Sequence, residues 1–199
     1  MSIFSRIPFT LAFLIAMGTA NWLAGTFTGI LPPQALTTWG ISHTAILNGE
    51  AYRLTTGTFL SHDIGMFTRQ ICFAAAAIGS YEWLEGTRRA FTLFFSANVL
   101  GSLLVLFGVL PLLVGHTDFA SDAALFTHDV GMSAGGFGLI GALIAKQQRG
   151  WLLLSLALGL LAIKIGIHFE AIADTAHIVC LLLGFALQSI LNAIHLRQC

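Results

Sequence analysis

The sequence predicts an all-α integral membrane protein built as a bundle of six transmembrane helices. Three observations support this prediction. Of the 199 residues, 56% are hydrophobic and 9% are charged, and the mean hydropathy is +0.85, whereas about a quarter of the residues in a soluble domain are charged. The apolar residues are gathered in six segments. The fourth segment is too short to cross a bilayer completely.

Each predicted helix comes from a run of mostly apolar residues, because a spanning helix needs about 20 of them. The segments cover approximately residues 7–30, 66–84, 90–114, 131–145, 151–167 and 176–194. Two long polar connections lie at residues 31–65 and 115–130, and the other connections are short. The whole chain, residues 1–199, is thus predicted to form a single membrane domain.

Basic residues predict how the chain crosses the membrane. If six segments are threaded, Arg53 is the only basic residue in the loops on one side. The opposite side carries Arg6, Arg88, Arg89, Lys146, Arg149 and Arg197. Because cytoplasmic loops are enriched in lysine and arginine, we expect both termini in the cytoplasm. Glu82 and Glu85, close to this basic cluster, are interpreted as an ordinary charged helix end.

Charge and cysteine patterns argue against several classes of function. The formal net charge is zero and no basic run is present, so nucleic-acid binding is not predicted. The cysteines stand apart, and no metal-ligand spacing recurs among the loop histidines, so no disulfide framework, metal site or cofactor is predicted. The residues concerned are Cys72, Cys180, Cys199, His62, His116, His128 and His168.

The fourth segment is the most informative because it is predicted to begin inside the membrane. A helix over residues 133–146 rises only about 20 Å, whereas the hydrocarbon core is about 30 Å thick. Ser133 should therefore lie roughly 10 Å below the outer surface. The polar chain before it must enter the membrane without helical structure, which is tolerated only beside protein or a water-filled cavity. We therefore expect a cavity that opens outward above Ser133.

Ser133 and His177 are predicted to meet at a similar depth, because His177 begins the sixth segment one helix and one loop later. A serine becomes a good nucleophile when a base takes its proton, and histidine is the usual base. No carboxylate is expected beside them at this depth, so the pair is interpreted as a catalytic dyad. Free N–H groups at the start of the fourth helix would stabilise an oxyanion, with Gln70 as a further donor.

Small residues predict that the fourth and sixth helices approach each other closely. The two facing stripes are Gly135, Gly138 and Gly141 or Ala142 on one helix, and His177, Cys180 and Gly184 on the other. Asp174 is predicted to be the N-cap of the sixth helix and to accept the N–H of His177. A simpler interpretation stays open, in which Ser133 only fills a packing stripe and His177 only binds loop backbone.

Taken together, these motifs resemble the rhomboid family of intramembrane serine proteases in its six-helix form. The run G-M-S-A-G-G-F-G-L at residues 131–139 is similar to the family's G-x-S-G-x-x-F-G-L motif. The run A-H-I-V-C-L-L-L-G-F at residues 176–185 is similar to its A-H-x-x-G-x-x-x-G-F ending. G-E-A-Y-R-L-T at residues 49–55 resembles its G-x-W-W-R-L-x-T motif. The resemblance covers the chain from about residue 48 to the C-terminus.

The resemblance implies that Ser133 is the nucleophile, that His177 is the general base, and that the Ser133 amide is part of the oxyanion hole. It implies structural roles for Tyr52, Arg53, Gly131, Gly138, Asp174 and Gly184. Ala134 and Cys180 stand where the family usually has glycine, and both are small.

The second helix departs further from the family pattern. The family has a histidine and an asparagine there that donate to the oxyanion, and this chain has neither. One register places Gln70 at the asparagine position, and another register places Ile71 there.

The activity implied by the resemblance is a serine endopeptidase that cleaves transmembrane segments of membrane proteins. Its partners would be those substrates and the lipid bilayer. The alternative is a catalytically weak or inactive rhomboid-like protein that binds transmembrane segments. A small transporter or channel would use the same polar pocket, but no inverted repeat is visible. The short connections favour a bacterial plasma membrane. The sequence predicts neither the substrate's identity nor the oligomeric state.

Overall fold

The structure, a computed structural model, describes residues 3–116 and 121–196. Arg197 and Cys199, which entered the sequence-based predictions, lie outside the described residues. Within those two ranges the chain is helical and has no β-strand. The α-helices there are α1 (Pro8–Ala24), α2 (Pro33–Trp39), α3 (His43–Leu47), α4 (Arg53–Thr56), α5 (Ile64–Glu85), α6 (Thr87–Leu104), α7 (Leu110–His116), α8 (Ser133–Ala145), α9 (Gly150–Ile167) and α10 (Ala171–Leu196).

A helix lies on each of the six predicted segments, but several boundaries differ. α1 ends at Ala24 instead of near residue 30, because Gly25 adopts a left-handed conformation (φ 84°) that terminates the helix. α6 continues through a π-helical turn, Val105–Val109, into α7. Pro111 lies two residues after this turn; it has no N–H to donate and would clash with a regular helix. The predicted third segment is therefore longer than expected, Thr87–His116.

Three helices are long and apolar enough to cross a membrane by length and composition. They are Thr87–His116, Gly150–Ile167 and Ala171–Ile194. Only 11% of the Gly150–Ile167 helix is buried inside the protein, and an apolar helix with so little cover from its own chain needs a lipid environment. Two shorter apolar helices, α1 and α8, accompany these three. The chain is therefore a membrane protein.

The first long connection was predicted to be a loop, but it contains α2, α3 and α4. Arg53, at the start of α4, holds this region together. Its Nη1 donates to the carbonyl oxygens of Thr37 and Gly40, and its Nη2 pairs with Glu50 at 2.7 Å. Tyr52 is exposed, with its ring 5.8 Å from the Arg53 guanidinium. These contacts fit a structural role for Arg53, whereas Tyr52 lies at the surface.

α8 lies between α5, α6 and α10, and its glycines allow all three to come close. A Cβ on Gly135 would lie 2.6 Å from the Phe94 ring of α6, and one on Gly136 would lie 2.4 Å from the Phe73 ring of α5. The placement of Gly135 in the stripe that faces the sixth helix is therefore wrong. Because α8 is enclosed by three helices, its small residues are needed on more than one side.

The predicted close approach of the fourth and sixth helices is confirmed. A Cβ on Gly184 of α10 would lie 1.8 Å from the carbonyl oxygen of Gly138, and one on Gly141 would lie 2.0 Å from the carbonyl oxygen of Leu181. No side chain larger than hydrogen fits at Gly141 or Gly184 without moving backbone. The two helices therefore touch backbone to backbone along α8.

Glu82 joins α5 to the beginning of α1. Its side chain is buried, and its carboxylate accepts hydrogen bonds from the N–H groups of Phe9 and Thr10 and from the hydroxyls of Thr10 and Thr87. The interpretation of Glu82 as part of an ordinary charged helix end is therefore wrong. The first N–H groups of α1 have no acceptor within their own helix, and the Glu82 carboxylate supplies one.

Candidate active site

Ser133 is the first residue of α8, and the chain before it is firmly held. Gly131 has φ 135°, a conformation that favours glycine, and its N–H donates to the Gly57 carbonyl at 2.9 Å. Asp129 and Ile41 exchange two backbone hydrogen bonds of 2.8 Å. The N–H of Gly136 closes the first helical turn, so the amides at and just after Ser133 have no acceptor within the helix. Such free donors at a helix start are suited to binding an oxyanion.

Ser133 lines a small cavity of about 30 Å³, which is room for one or two water molecules. Asn98 fixes one wall by donating to the carbonyl oxygen of Leu54 and to the hydroxyl of Thr58. Within the described residues, the buried Nε of Arg53 has no hydrogen-bond partner, so the cavity offers a site for water. Its polar lining consists of Arg53, Thr58, Asn98, Ser102, Asp129 and Ser133.

Gln70 of α5 reaches the same region. Its side chain is 6% exposed, and its Oε1 accepts a 2.7 Å hydrogen bond from the Ser61 hydroxyl. This bond points the Nε2 end toward Gly131, where an added Cβ would lie 2.4 Å from Nε2. Of the two registers considered for the second helix, the structure brings Gln70 to the start of α8, whereas Ile71 packs against the apolar core. A side-chain amide donor therefore lies beside the free amides near Ser133.

His177 lies on α10, and its ring stacks on Phe137 with a centroid separation of 4.2 Å. Phe137 follows Ser133 by one helical turn and shares its face of α8. The structure thus brings Ser133 and His177 to the same face of α8. Among the residues that the structure describes, neither side chain makes a hydrogen bond. The cavity beside Ser133 is lined by Ala173 and Ala176 of α10, and His177 is not part of that lining.

The prediction that Asp174 caps the sixth helix is wrong. α10 begins at Ala171, so Asp174 lies in its first turn. Its carboxylate is fully buried and accepts hydrogen bonds from Lys164 Nζ at 2.7 and 2.9 Å and from the N–H of Glu170 at 2.7 Å. Lys164, on α9, also contacts Glu170 at 3.1 Å. Asp174 therefore ties α9 to the first turn of α10, three residues before His177.

Replacing Lys164 with methionine is expected to lower the free energy of unfolding by about 2 kcal/mol. The loss lies between that of an exposed and that of a fully buried ion pair, because Asp174 is completely buried but the Lys164 side chain is 41% exposed. Reversible unfolding in mixed micelles measures the change. Glu170→Gln is the matched control, since Glu170 is an exposed partner of the same lysine. An equal loss in both variants would contradict a stabilising role for the buried pair.

His62 contacts the chain that leads into α8. Its Nε2 lies 3.8 Å from Oδ1 of Asp129. The Asp129 carboxylate raises the pKa of His62 above its ordinary value of 6.5, and this effect outweighs the opposing effect of burial. The contact therefore stabilises the fold fully below pH 6.5, and this stabilisation is lost as the pH rises past the raised pKa. The interpretation of His62 as a scattered loop residue missed this partner.

Three residues that support the site were not predicted. Asn98 holds the cavity wall, Ser61 orients Gln70, and Phe137 stacks on His177. The sequence does contain a signal for Asn98, because a polar side chain inside an apolar spanning segment often belongs to a functional site. Phe137 belongs to the serine motif itself, but its contact with His177 depends on how α8 and α10 pack.

The geometry at the start of α8 thus combines a serine, free amides, a side-chain amide and a nearby imidazole. No model of a known protein family matches the chain, and no curated protein matches it.

Proposed function

We propose that the protein is an intramembrane serine endopeptidase of the rhomboid type, with Ser133 as nucleophile and His177 as general base. One observation carries the proposal. Ser133 stands at the free amide end of a short apolar helix and opens into a polar cavity, and His177 packs on the same face one turn further along. Together with the sequence motifs, this arrangement supports acyl transfer more than any other reaction class.

In the proposed reaction, His177 takes the proton from the Ser133 hydroxyl while Oγ forms a bond to the carbonyl carbon of the scissile peptide. The carbonyl oxygen becomes an oxyanion that accepts hydrogen bonds from the free amides of α8 and from Gln70. The imidazolium then gives its proton to the leaving amine, and the peptide C–N bond breaks. Water, activated by His177, hydrolyses the acyl-enzyme and regenerates Ser133.

Ser133 and His177 lie on either side of Phe137 and are not hydrogen-bonded to each other, and the proposed mechanism accounts for this state. Catalytic hydrogen bonds are often long or poorly aligned without substrate and tighten when the substrate binds. Stacking on Phe137 constrains the plane of the His177 ring and leaves its ring nitrogens at the edge.

The proposed substrates are membrane proteins with a transmembrane helix, in the lipid bilayer. A helix has its carbonyls hydrogen-bonded internally, so the substrate must unwind locally before Ser133 can attack. The distribution of basic residues supports an orientation with both termini in the cytoplasm, and we propose a bacterial plasma membrane as the location. The cavity beside Ser133 would supply the water for deacylation.

A second candidate function has an observation in its favour. The missing Ser133–His177 hydrogen bond and the altered second helix both fit a rhomboid-like protein that binds transmembrane segments without cleaving them. Such a protein keeps the fold and the cavity, but its serine is not activated. Reactivity of Ser133 separates the two candidates.

Labelling with a fluorophosphonate serine probe tests the proposed function. The detergent-solubilised wild-type protein is expected to react, and Ser133→Ala and His177→Ala are each expected to abolish labelling, because the probe needs an activated hydroxyl. Ser155→Ala is the matched control, since Ser155 lies on the exposed side of α9 and donates to the Trp151 carbonyl. It should label like the wild type.

Two results would overturn the protease proposal. One is a folded wild-type protein that does not react under conditions that label a control serine hydrolase. The other is labelling that survives in Ser133→Ala. The first result would favour the non-cleaving binder, and the second would exclude Ser133 as the labelled nucleophile.

A further inference from the structure

A long groove lies apart from the Ser133 cavity and shares no lining residue with it. It has a volume of about 610 Å³ and runs between α6 and α10, beginning at the end of α5. Its floor includes Tyr81, whose hydroxyl is already hydrogen-bonded to Gln188 at 2.6 Å. The groove walls carry apolar side chains on the α10 side, namely Leu187, Ile190 and Leu191.

The α6 wall changes from charged to apolar along its length. Arg88, Thr92, Ser96 and Leu100 line it at intervals of four residues, which places them on one face of the helix. Arg88 lies at the beginning of the spanning segment, and Leu100 lies about 18 Å further along it. The groove is thus charged at one end, weakly polar next to it, and apolar for the rest of its length.

Positive charge is in excess at the charged end. Glu85 is shared by two cations, Arg89 at 2.5 Å and Lys146. Within the described residues, Arg88 has no ion-pair partner, and it is exposed at the groove mouth. The other carboxylate nearby, Glu82, is buried, and its hydrogen bonds are made to the beginning of α1 and to Thr87. Arg88 is therefore free to bind an anion.

We propose that this groove binds an anionic phospholipid, with its phosphate on Arg88 and Arg89 and one acyl chain along α6 and α10. A guanidinium matches a phosphate group in shape and charge. A basic site between transmembrane helices at the membrane surface is typical of anionic headgroup recognition. The outer parts of the apolar wall are open, with Leu100, Ile190 and Leu191 each about half exposed, so an acyl chain enters sideways from the bilayer.

The proposal does not depend on the chemistry at Ser133. A soluble anion would use only the two arginines and leave the apolar length unfilled. A peptide segment would bring no charge that matches Arg88 unless it were acidic at that point. The ligand that fits both ends of the groove carries one phosphate and a long apolar chain.

Native mass spectrometry of the full-length protein in a non-ionic detergent tests the proposal. The protein is titrated with dioleoyl-phosphatidylglycerol and with dioleoyl-phosphatidylcholine, which have the same acyl chains. We expect phosphatidylglycerol to bind at least fivefold more tightly. Arg88→Gln should weaken its binding about fivefold, which corresponds to about 1 kcal/mol for one basic residue at the membrane surface.

Two further variants test the effect of general surface charge and of the space inside the groove. Arg149→Gln removes an exposed basic residue at the start of α9, outside the groove, and should leave the lipid preference unchanged. Ser96→Phe fills the middle of the groove and should weaken both lipids at least fivefold, without removing any charge. Thermal unfolding of each variant before lipid is added shows whether it is folded.

Four outcomes would overturn the proposal. They are equal affinity for the two lipids, equal losses in Arg88→Gln and Arg149→Gln, unchanged binding in Ser96→Phe, and displacement of phosphatidylglycerol by glycerol phosphate alone. The last outcome would show that the site recognises free phosphate. A dimer mass that disappears in Ser96→Phe, with no lipid bound to the wild type, would instead assign the groove to a second copy of the chain.

Discussion

Replacing Gly184 with leucine is expected to destabilise the protein by about 3 kcal/mol or more and to abolish any reaction at Ser133. Even the Cβ of the new residue would lie 1.8 Å from the Gly138 carbonyl oxygen. That oxygen is backbone and cannot rotate away, so α8 and α10 must separate. Overpacking in a close-packed interior costs about 1–3 kcal/mol when side chains can adjust, and here they cannot. Thermal unfolding and probe labelling of the purified protein measure the two effects.

Gly159→Leu is the matched control for this substitution. Gly159 lies in the interior of α9, and an added Cβ there would meet nothing within 4 Å. The same side chain is thus introduced into a helix of similar apolar character, without a backbone neighbour. We expect this variant to unfold within a few degrees of the wild type. Similar unfolding temperatures for the two variants would contradict backbone contact between α8 and α10.

The contact at Gly184 was among the features that the sequence could predict. Small residues at helical spacing in two apolar segments allow only a few kinds of packing, and close helix approach is the commonest. The early end of α1 also had a local signal, because Gly25 is a natural helix terminator. The short length of the fourth helix followed directly from the polar residues before Ser133.

The start of the sixth helix could not be predicted in the same way. Asp174 lies in its first turn and Glu170 directly precedes the helix, and acidic residues before an apolar segment usually indicate a loop. The Asp174 carboxylate can be buried because the Lys164 ammonium group of α9 donates hydrogen bonds to it. A partner from another helix thus determines whether these residues are loop or helix. The partner cannot be predicted from the sequence of the segment itself. The same holds for Glu82, whose partners come from α1.

The candidate site likewise has a part that the sequence predicts and a part that depends on tertiary contacts. Ser133 and His177 were found from their position in the chain, since each begins or lies near the beginning of an apolar segment. The register of the second helix stayed undecided between Gln70 and Ile71, because both fit the spacing. The structure distinguishes them by the hydrogen bond from Ser61 and by the space beside Gly131. Both contacts involve residues far apart in sequence.

Replacing Gln70 with alanine is expected to slow the reaction at Ser133 by about a hundred- to a thousandfold, if the protein is the proposed protease. Loss of one side-chain donor to an oxyanion has this effect in serine hydrolases. The cost to stability should be about 1 kcal/mol, because only the hydrogen bond from Ser61 is lost. Second-order rate constants for probe labelling, measured beside thermal unfolding, separate the two effects.

Two control variants decide what a slower reaction means. Ile71→Ala tests the other register, and it should leave the labelling rate close to that of the wild type because Ile71 packs into the core. Ser61→Ala leaves the Gln70 amide in place but removes the bond that orients it, so the rate should fall by a smaller factor. Equal rates in wild type and Gln70→Ala, with Ser133→Ala inactive, would restrict the oxyanion hole to the backbone amides of α8. In that case the free N–H groups at the start of a short helix would be sufficient for catalysis, and the altered second helix would carry no loss of function.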